Sequence, residues 1–223
     1  GSVLGIDSSR EMVNFAHRAF PPYMYTNLDF DVVDASKMRF YEEFDIVFSN
    51  ATLHWVIDQI PLLRGISKAL KIGGKCILQM GGRGNADALY KTAIMDGPAF
   101  KKWGHLYKDM PFPYGFYGPE EYSKWLVDVD LTPTRVLLRD KDMVQQGADG
   151  LAAWIRTTWM PYTDCIPKDE REDFISAIVE GYLQRFPLDN NGNAHVGMVR
   201  LEVEAVKSLN QGRKGRIGIC KDI

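Results

Sequence analysis

Four short hydrophobic runs in the first eighty residues each stop on a polar residue or a glycine. Val3-Leu4-Gly5-Ile6 ends at Asp7, residues 28–33 at Asp34, residues 44–49 at Asn50, and residues 75–80 at a glycine cluster. Runs that are apolar almost throughout predict strands buried on both faces, as in a mostly parallel sheet covered by helices. Between the first two runs, Met12, Phe15, Ala16 and Ala19 recur at i, i+3, i+4 and i+7, which predicts a helix over 9–20. Ser8 stands as its N-cap and Glu11 as the reciprocal carboxylate, and Pro21-Pro22 stop it. A second helix is predicted over 58–70, with Gly73-Gly74 as its terminating turn. In such α/β sheets ligands sit beyond the carboxyl ends of the strands, so Asp7, Asp34 and Asn50 are expected to converge on one crevice.

The second half has a different texture. Residues 85–103 read as helix interrupted at Gly97-Pro98, and MPFPYGFYGPEEY is too rich in breakers for regular structure. Helices are predicted over 119–127, 151–159 and 169–186. The last carries Phe174, Ile175, Ile178, Tyr182, Leu183 and Phe186 on one face. A strand over 134–143 and a final strand over 196–206 complete the pattern, the latter expected antiparallel at the sheet edge, followed by a basic, glycine-containing tail.

The composition narrows the function classes. A formal net charge of -2 argues against nucleic-acid partners, which leave a basic stripe. No apolar run approaches the roughly 20 residues of a membrane span. Three widely separated cysteines, Cys76, Cys165 and Cys220, suit a reduced, cytoplasmic chain without a disulfide framework. HExxH, CxxC and G-x-S-x-G are all absent, so neither a metal site nor a serine nucleophile is expected.

Several residues carry chemistry. A carboxylate at the end of a strand, as at Asp7, suits a ribose diol, although it equally caps a helix. Asp34-Ala35 offers a carboxylate and a backbone N–H to an adenine edge, with Met12 or Met38 on the ring; a turn role competes. In FDIVFSNATLHWVID, Asn50 stands at the crevice mouth, with His54 and Trp55 where a reacting group would lie. GGRGNADAL, from Gly81 to Leu89, imitates a phosphate loop but places Asp87 where the third glycine belongs. Trp154, Trp159 and Tyr162 can line an apolar pocket, with Arg156 to pair a substrate carboxylate, or they simply pack a helix.

GIDSSREM, VVDASKM, FDIVFSNATLHWV and LKIGGKCIL, in this order and spacing, resemble the class I S-adenosylmethionine-dependent methyltransferases. The LHW form and the aromatic second half are similar to the branch that holds trans-aconitate and juvenile hormone acid methyltransferases. The resemblance implies a Rossmann-like, mostly parallel sheet with an antiparallel edge strand and a helical cap. The core would be 1–84 and 131–207, the cap 85–130 and 147–187, and the tail 208–223. It implies S-adenosyl-L-methionine as cofactor, held by Asp7, Ser8, Met12, Asp34, Ala35, Asn50 and Leu53. His54 and Trp55 would be catalytic, and Trp55, Arg156, Trp159 and Tyr162 would bind a small-molecule acceptor, methylated on a carboxylate oxygen. The family's first strand and its E/D-x-G-x-G-x-G loop lie about twenty residues before the equivalent of Asp7, an expectation set by the usual length of a βαβ unit. Only six residues precede Asp7 here, and Gly1-Ser2 fits a tag scar, so the resemblance implies a truncated N-terminus with the first strand missing. A homodimer or swapped partner would then cover the exposed sheet. Two other classes stay open: a catalytically inactive methyltransferase-fold chain that binds a partner or nucleoside, and a nicotinamide-dependent oxidoreductase, whose ribose Asp7 would also suit.

Overall fold

The computed structural model describes residues 1–208; the greater part of the expected tail, with Cys220, lies outside the described residues. The strands form two sheets. β1 (Val3–Asp7) and β2 (Leu28–Val32) pair in parallel. β3 (Phe44–Asn50), β4 (Leu70–Gly81), β5 (Leu131–Gln146) and β6 (Asn193–Lys207) form the second sheet in the order β3-β4-β6-β5. β3 runs parallel to β4, while β6 is antiparallel to both β4 and β5. The final strand is therefore antiparallel as expected, but it lies inside the sheet and β5 takes the edge. Pro133 sits at a register irregularity of β5, a place where a strand tolerates a residue without an N–H donor.

Burial on both faces holds poorly for the first strands. Ile46 and Phe48 on β3 are 59% and 69% exposed, beside Ile77 of β4 at 40%. Among the described residues β1 pairs only with β2 and β3 only with β4, so each keeps a free edge. The two sheets are joined where the 3-10 turn Ala35–Lys37 packs on α2 (Gln59–Ala69). Met38 lies against Gly65 there, with a side-chain carbon 2.7 Å from where a Cβ would stand.

Local chemistry shifts two helix boundaries from their expected places. Asp7 Oδ1 accepts the Ser9 N–H at 2.7 Å, and this turn delays α1 (Arg10–Ala19) by one residue. Ser9, not Ser8, is therefore the N-cap, its Oγ accepting the Met12 N–H at 3.3 Å. α1 buries Val13 alone and leaves Met12 and Phe15 exposed, contrary to the expected face. α2 is capped by Asp58 and buries Leu62, Leu63, Ile66 and Ala69. Its chain enters β4 at Leu70 without a glycine turn. Gly73, with φ of 79°, instead lies in the irregular stretch where β3 pairing jumps from Leu70 to Lys75.

Two apolar clusters organise the rest. One joins α2, the sheet and α5 (Pro119–Asp128) through Leu62, Leu78, Tyr122, Leu126, Leu201 and Val203. The other is built by α3 (Asp87–Leu89), a π-helical turn at Tyr90–Ile94, α4 (Pro98–Trp103), α6 (Gly147–Thr158), α7 (Met160–Thr163) and α8 (Arg171–Arg185). Pro98 opens α4 at a position whose N–H has no helical partner, which explains the interruption at Gly97-Pro98. α8 presents Phe174, Ile175, Ile178 and Tyr182 to this cluster, and Phe186 leaves the helix as its C-cap.

Candidate functional site

The site begins at the strand ends. The Val33 N–H donates to the Asp7 carbonyl at 3.0 Å, which sets the ends of β1 and β2 side by side and brings Asp7 near Asp34. Asp7 is exposed, and with Oδ1 taken by Ser9 its other oxygen has no partner among the described residues. Met12 stands exposed in the first turn of α1, next to it in sequence terms, while Ser8 lies exposed between them. Asp34 accepts from the Ser36 hydroxyl at 2.7 Å and from the Ser36 N–H at 2.9 Å, and pairs with Lys37 at 3.2 Å. The Ser36 hydrogen bonds, hydroxyl first, hold its carboxyl below the usual carboxylate range. Ala35 follows as the first residue of the 3-10 turn. On the other sheet Asn50 ends β3, exposed, with its Oδ1 accepting from Gln79 Nε2 at 3.1 Å.

Beyond Asn50 the chain turns over the ends of β3 and β4 as a 3-10 turn, Leu53–Trp55. Leu53 is driven into the sheet core, 4% exposed. His54 is half-buried. Its Nδ1 accepts the Gly81 N–H at 3.4 Å, and its ring meets Phe116 and Trp55 at 5.7 and 5.6 Å. Burial among these rings pushes the imidazole down to about 4. Trp55 stays 38% exposed and packs edge-on to Tyr114 at 5.2 Å.

A buried network holds the turn. Gln59, only 2% exposed, donates Nε2 to the Leu53 carbonyl at 2.9 Å and to the Val56 carbonyl, and its Oε1 accepts the Tyr122 hydroxyl. Tyr117 donates to the Ile57 carbonyl at 2.6 Å, and the Gly115 N–H to the His54 carbonyl at 2.8 Å. Sequence reasoning missed these residues. The available signal was Gln59 itself, which with Leu62, Leu63 and Ile66 occupies the i, i+3, i+4, i+7 face of α2, an amide at a core position.

The cap meets the turn through aromatic rings. Tyr114 stacks on Phe116 at 5.2 Å and meets Trp159 at 5.3 Å, and Trp159 stacks on Tyr90 at 6.3 Å. Trp159 is buried and joins the wall behind Trp55. Tyr162 is buried within the cap core, where desolvation first and then the neighbouring Tyr90 push its hydroxyl far up. Trp154 meets Trp159 at 6.3 Å. Arg156 is not brought to this wall. Its Nε and NH2 engage both oxygens of Glu172 at 2.9 and 2.6 Å on the exposed surface.

The glycine stretch serves packing. A Cβ on Gly82 would lie 2.6 Å from Leu138 and 3.0 Å from the Leu201 backbone nitrogen, so this glycine allows β4 to leave the sheet against β5 and β6. Arg83 pairs with Glu120 and Glu121, and Asn85 accepts the Val199 N–H at 3.0 Å. Among the described residues no group of three or more His, Cys, Asp or Glu could hold a metal ion, and no helix is long and apolar enough to cross a membrane.

Residues 1–78 match the family described as "Methyltransferase domain". Over 212 residues the chain is 26% identical to the trans-aconitate 2-methyltransferase of Agrobacterium fabrum, covering 92% of this chain and 78% of that protein. A second protein of that name, from Mycolicibacterium gilvum, is 35% identical over 106 residues, 48% of this chain and 38% of its own. Among solved structures, the YcgJ protein of Bacillus subtilis superposes with a TM-score of 0.59 at 17% identity, over 93% of this chain and 83% of that one. At that identity the likeness speaks to fold: a Rossmann-like, mostly parallel arrangement carrying an antiparallel strand and a helical cap. The fold is that of the class I methyltransferases, and the match to the methyltransferase-domain family covers the first sheet and its helices.

Proposed function

We propose that this protein methylates a carboxylate oxygen of a small organic acid, using S-adenosylmethionine. The observation that carries the reading is the pair of neighbouring strand ends. They set the exposed Asp7 carboxylate beside Asp34-Ala35, with Met12 exposed at the start of α1. That donor set fits the cofactor: a carboxylate oxygen for the ribose diol, a thioether for the adenine face, and Asp34 and Ala35 for the adenine edge. Ser8 borders the same place, and Asn50 stands at the end of β3 for the methionine part. Leu53, buried beneath the turn, supports the floor.

When bound, S-adenosylmethionine supplies a sulfonium methyl group; a carboxylate takes the methyl, the electron pair stays on sulfur, and neutral ester and thioether result without a proton moving. The chain's own part is to bind, align and exclude water, which is catalysis by proximity. Trp55 and, behind it, Tyr114 and Trp159 form an apolar wall for the acceptor body. Tyr162 supports that wall from the cap core. Arg156 is committed to Glu172 and has no place in the proposed acceptor site. The organic-acid reading is supported by the relatives named for trans-aconitate, alike over 92% of this chain.

Calorimetric titration with S-adenosylhomocysteine and with NADH tests the cofactor, and transfer of a labelled methyl group to a panel of organic acids tests the reaction. Binding of S-adenosylhomocysteine with formation of a base-labile ester is expected. Binding of neither nucleotide, or of NADH alone, sinks the reading. A second reading, an inactive methyltransferase-fold chain that binds a partner, is favoured by the apolar surface at Ile46 and Phe48. Cofactor binding with no turnover on any acid selects it.

A further inference from the structure

The imidazole of His54 is fixed in a way that decides what it can do. β3 and β4 stay paired up to Asn50 and Gln79, after which the Ala51 N–H donates to the Gln79 carbonyl. The Gly81 N–H is the next donor on that side of β4, and it points at His54 Nδ1 at 3.4 Å. A nitrogen that accepts a hydrogen bond carries no proton, so in the neutral ring the proton resides on Nε2. Nε2 itself has no protein partner among the described residues. Yet no buried side-chain nitrogen or oxygen there is left unpartnered, so Nε2 is reached by solvent. The ring caps the end of a sheet ladder beside the Trp55 and Phe116 rings, with its Nε2 reached by solvent.

We propose that His54 is locked by the Gly81 amide as its Nε2–H tautomer and donates that hydrogen to one oxygen of an acceptor carboxylate. The other oxygen is thereby aimed at the methyl group, and the site takes acceptors that arrive already ionised. This deepens the proposed function and rests on it. His54 is then a hydrogen-bond donor and not a general base. A ring that titrates near 4 is a weak base for a phenol or alcohol, whose proton is held several units more tightly. The groups packed around it carry no charge that would reverse this. They are Trp55 of its own turn, Gly81 of β4, and Gly115 and Phe116 of the segment before α5; Tyr114, packed on Trp55 and Phe116, has its hydroxyl pushed far up by burial. The charged groups nearest in sequence to these are Arg83, paired with Glu120 and Glu121, and Asp58, which caps α2.

Nitrogen-15 NMR of the imidazole reads the tautomer without any need for activity. The neutral Nε2–H pattern is expected for His54 at pH 7, and an Nδ1–H tautomer or an imidazolium overturns the proposal. Titration with phenylacetate in the presence of S-adenosylhomocysteine should move the Nε2–H proton downfield. Saturable phenylacetate binding that leaves this proton unmoved, or no phenylacetate binding once S-adenosylhomocysteine is bound, overturns the donor role. Failure of S-adenosylhomocysteine itself to bind overturns instead the reading on which the proposal rests, while the tautomer result stands by itself.

Two variants then separate the nitrogens. Asparagine at this position keeps an acceptor for Gly81 and loses the outer donor, whereas glutamine restores an N–H near Nε2. His54→Asn should raise the KM for a carboxylate acceptor on the order of tenfold, and His54→Gln should recover most of that loss. With wild-type protein, kcat/KM should be flat between about pH 5.5 and 8.5. An inflection in that window that disappears in His54→Gln marks a base and refutes the donor.

Discussion

Replacing Gln59 by leucine should unfasten the turn that carries His54 and Trp55, and its cost can be worked out group by group. The side chain fills a core position of α2, so leucine keeps most of its volume and removes only the amide. Three groups lose a partner. The Leu53 carbonyl keeps one donor, the Val56 N–H at 3.1 Å, so its loss is small. The Val56 carbonyl loses the Gln59 amide. The Tyr122 hydroxyl, fully buried, falls back on Met80 Sδ at 3.3 Å, a weak acceptor. Leaving one buried polar group unpaired costs about 1–3 kcal/mol, and two such groups with partial compensation give about 2–4 kcal/mol for Gln59→Leu. Tyr122→Phe removes one donor from the same bond and should cost about 1–2 kcal/mol.

The double variant supplies the sharper check. Once the amide is gone the tyrosine hydroxyl is already orphaned, so removing it then is nearly free. A coupling of about 1–2 kcal/mol is expected between the two positions. Guanidinium denaturation read by tryptophan fluorescence measures it. With m near 3 kcal/mol per molar, the Gln59→Leu midpoint should fall by about 1 M with an unchanged slope. A shift under about 0.5 kcal/mol, or strict additivity with Tyr122→Phe, would refute the network as the fastening of this turn.

Asp7→Ala should weaken S-adenosylhomocysteine binding by about 1.5–3 kcal/mol in calorimetry, the scale of a charged hydrogen bond; unchanged affinity rejects the diol assignment. Trp55→Ala should raise the acceptor KM or lower kcat while leaving cofactor affinity within about twofold, and the opposite pattern removes Trp55 from the acceptor wall. His195 lies between Asp189, at 3.1 Å, and Asp142, at 2.6 Å, and hydrogen bonds to Asp189 first and Asp142 second raise its pKa. The stability this contributes is complete below the unfolded histidine value of about 6.5 and is lost as pH rises through the folded one. The Tm advantage of wild type over His195→Gln should therefore shrink between pH 6 and pH 9; a gap constant with pH dismisses the ion pairs.

What could be read from the sequence follows the range of the forces involved. β1 to β4 and the polar residues at their ends are legible because an apolar run and the residue that stops it are neighbours in the chain. The interruption at Gly97-Pro98 is legible because proline acts on its own backbone. The N-cap of α1 moved from Ser8 to Ser9 because Asp7 Oδ1 takes the Ser9 N–H in a two-residue turn, a local contest that the residue pattern alone does not decide. The bond between Tyr122 and Gln59 spans 63 residues of sequence and leaves no local trace except a glutamine on an apolar face. Arg156 shows the same limit from the other side. Its fate is decided by Glu172 on another helix, 16 residues away, and no spacing rule within α6 announces that partner.

The segment before α5 ties these parts together, and Gly115 is where it can be tested. Its N–H holds the His54 carbonyl at 2.8 Å, while the preceding Tyr114 donates to the Thr158 carbonyl of α6 at 2.8 Å and the following Phe116 packs on the His54 ring. One short stretch thus clamps the turn Leu53–Trp55 to the cap, so the place of His54 and Trp55 depends on the cap. A Cβ at Gly115 would stand 2.9 Å from the Val56 carbonyl oxygen and 2.9 Å from the Tyr117 ring. The ring can swing, but the carbonyl is backbone and is already held by Gln59. Gly115→Ala must therefore push the turn away from the segment, at about 1–3 kcal/mol of stability, the usual cost of overpacking. Because Asp7 and Asp34 lie on the other sheet, cofactor affinity should stay within about twofold while the acceptor KM rises severalfold. Equal losses on both ligands would mean that the cap and the nucleoside end move as one body, and the clamp as described would be wrong.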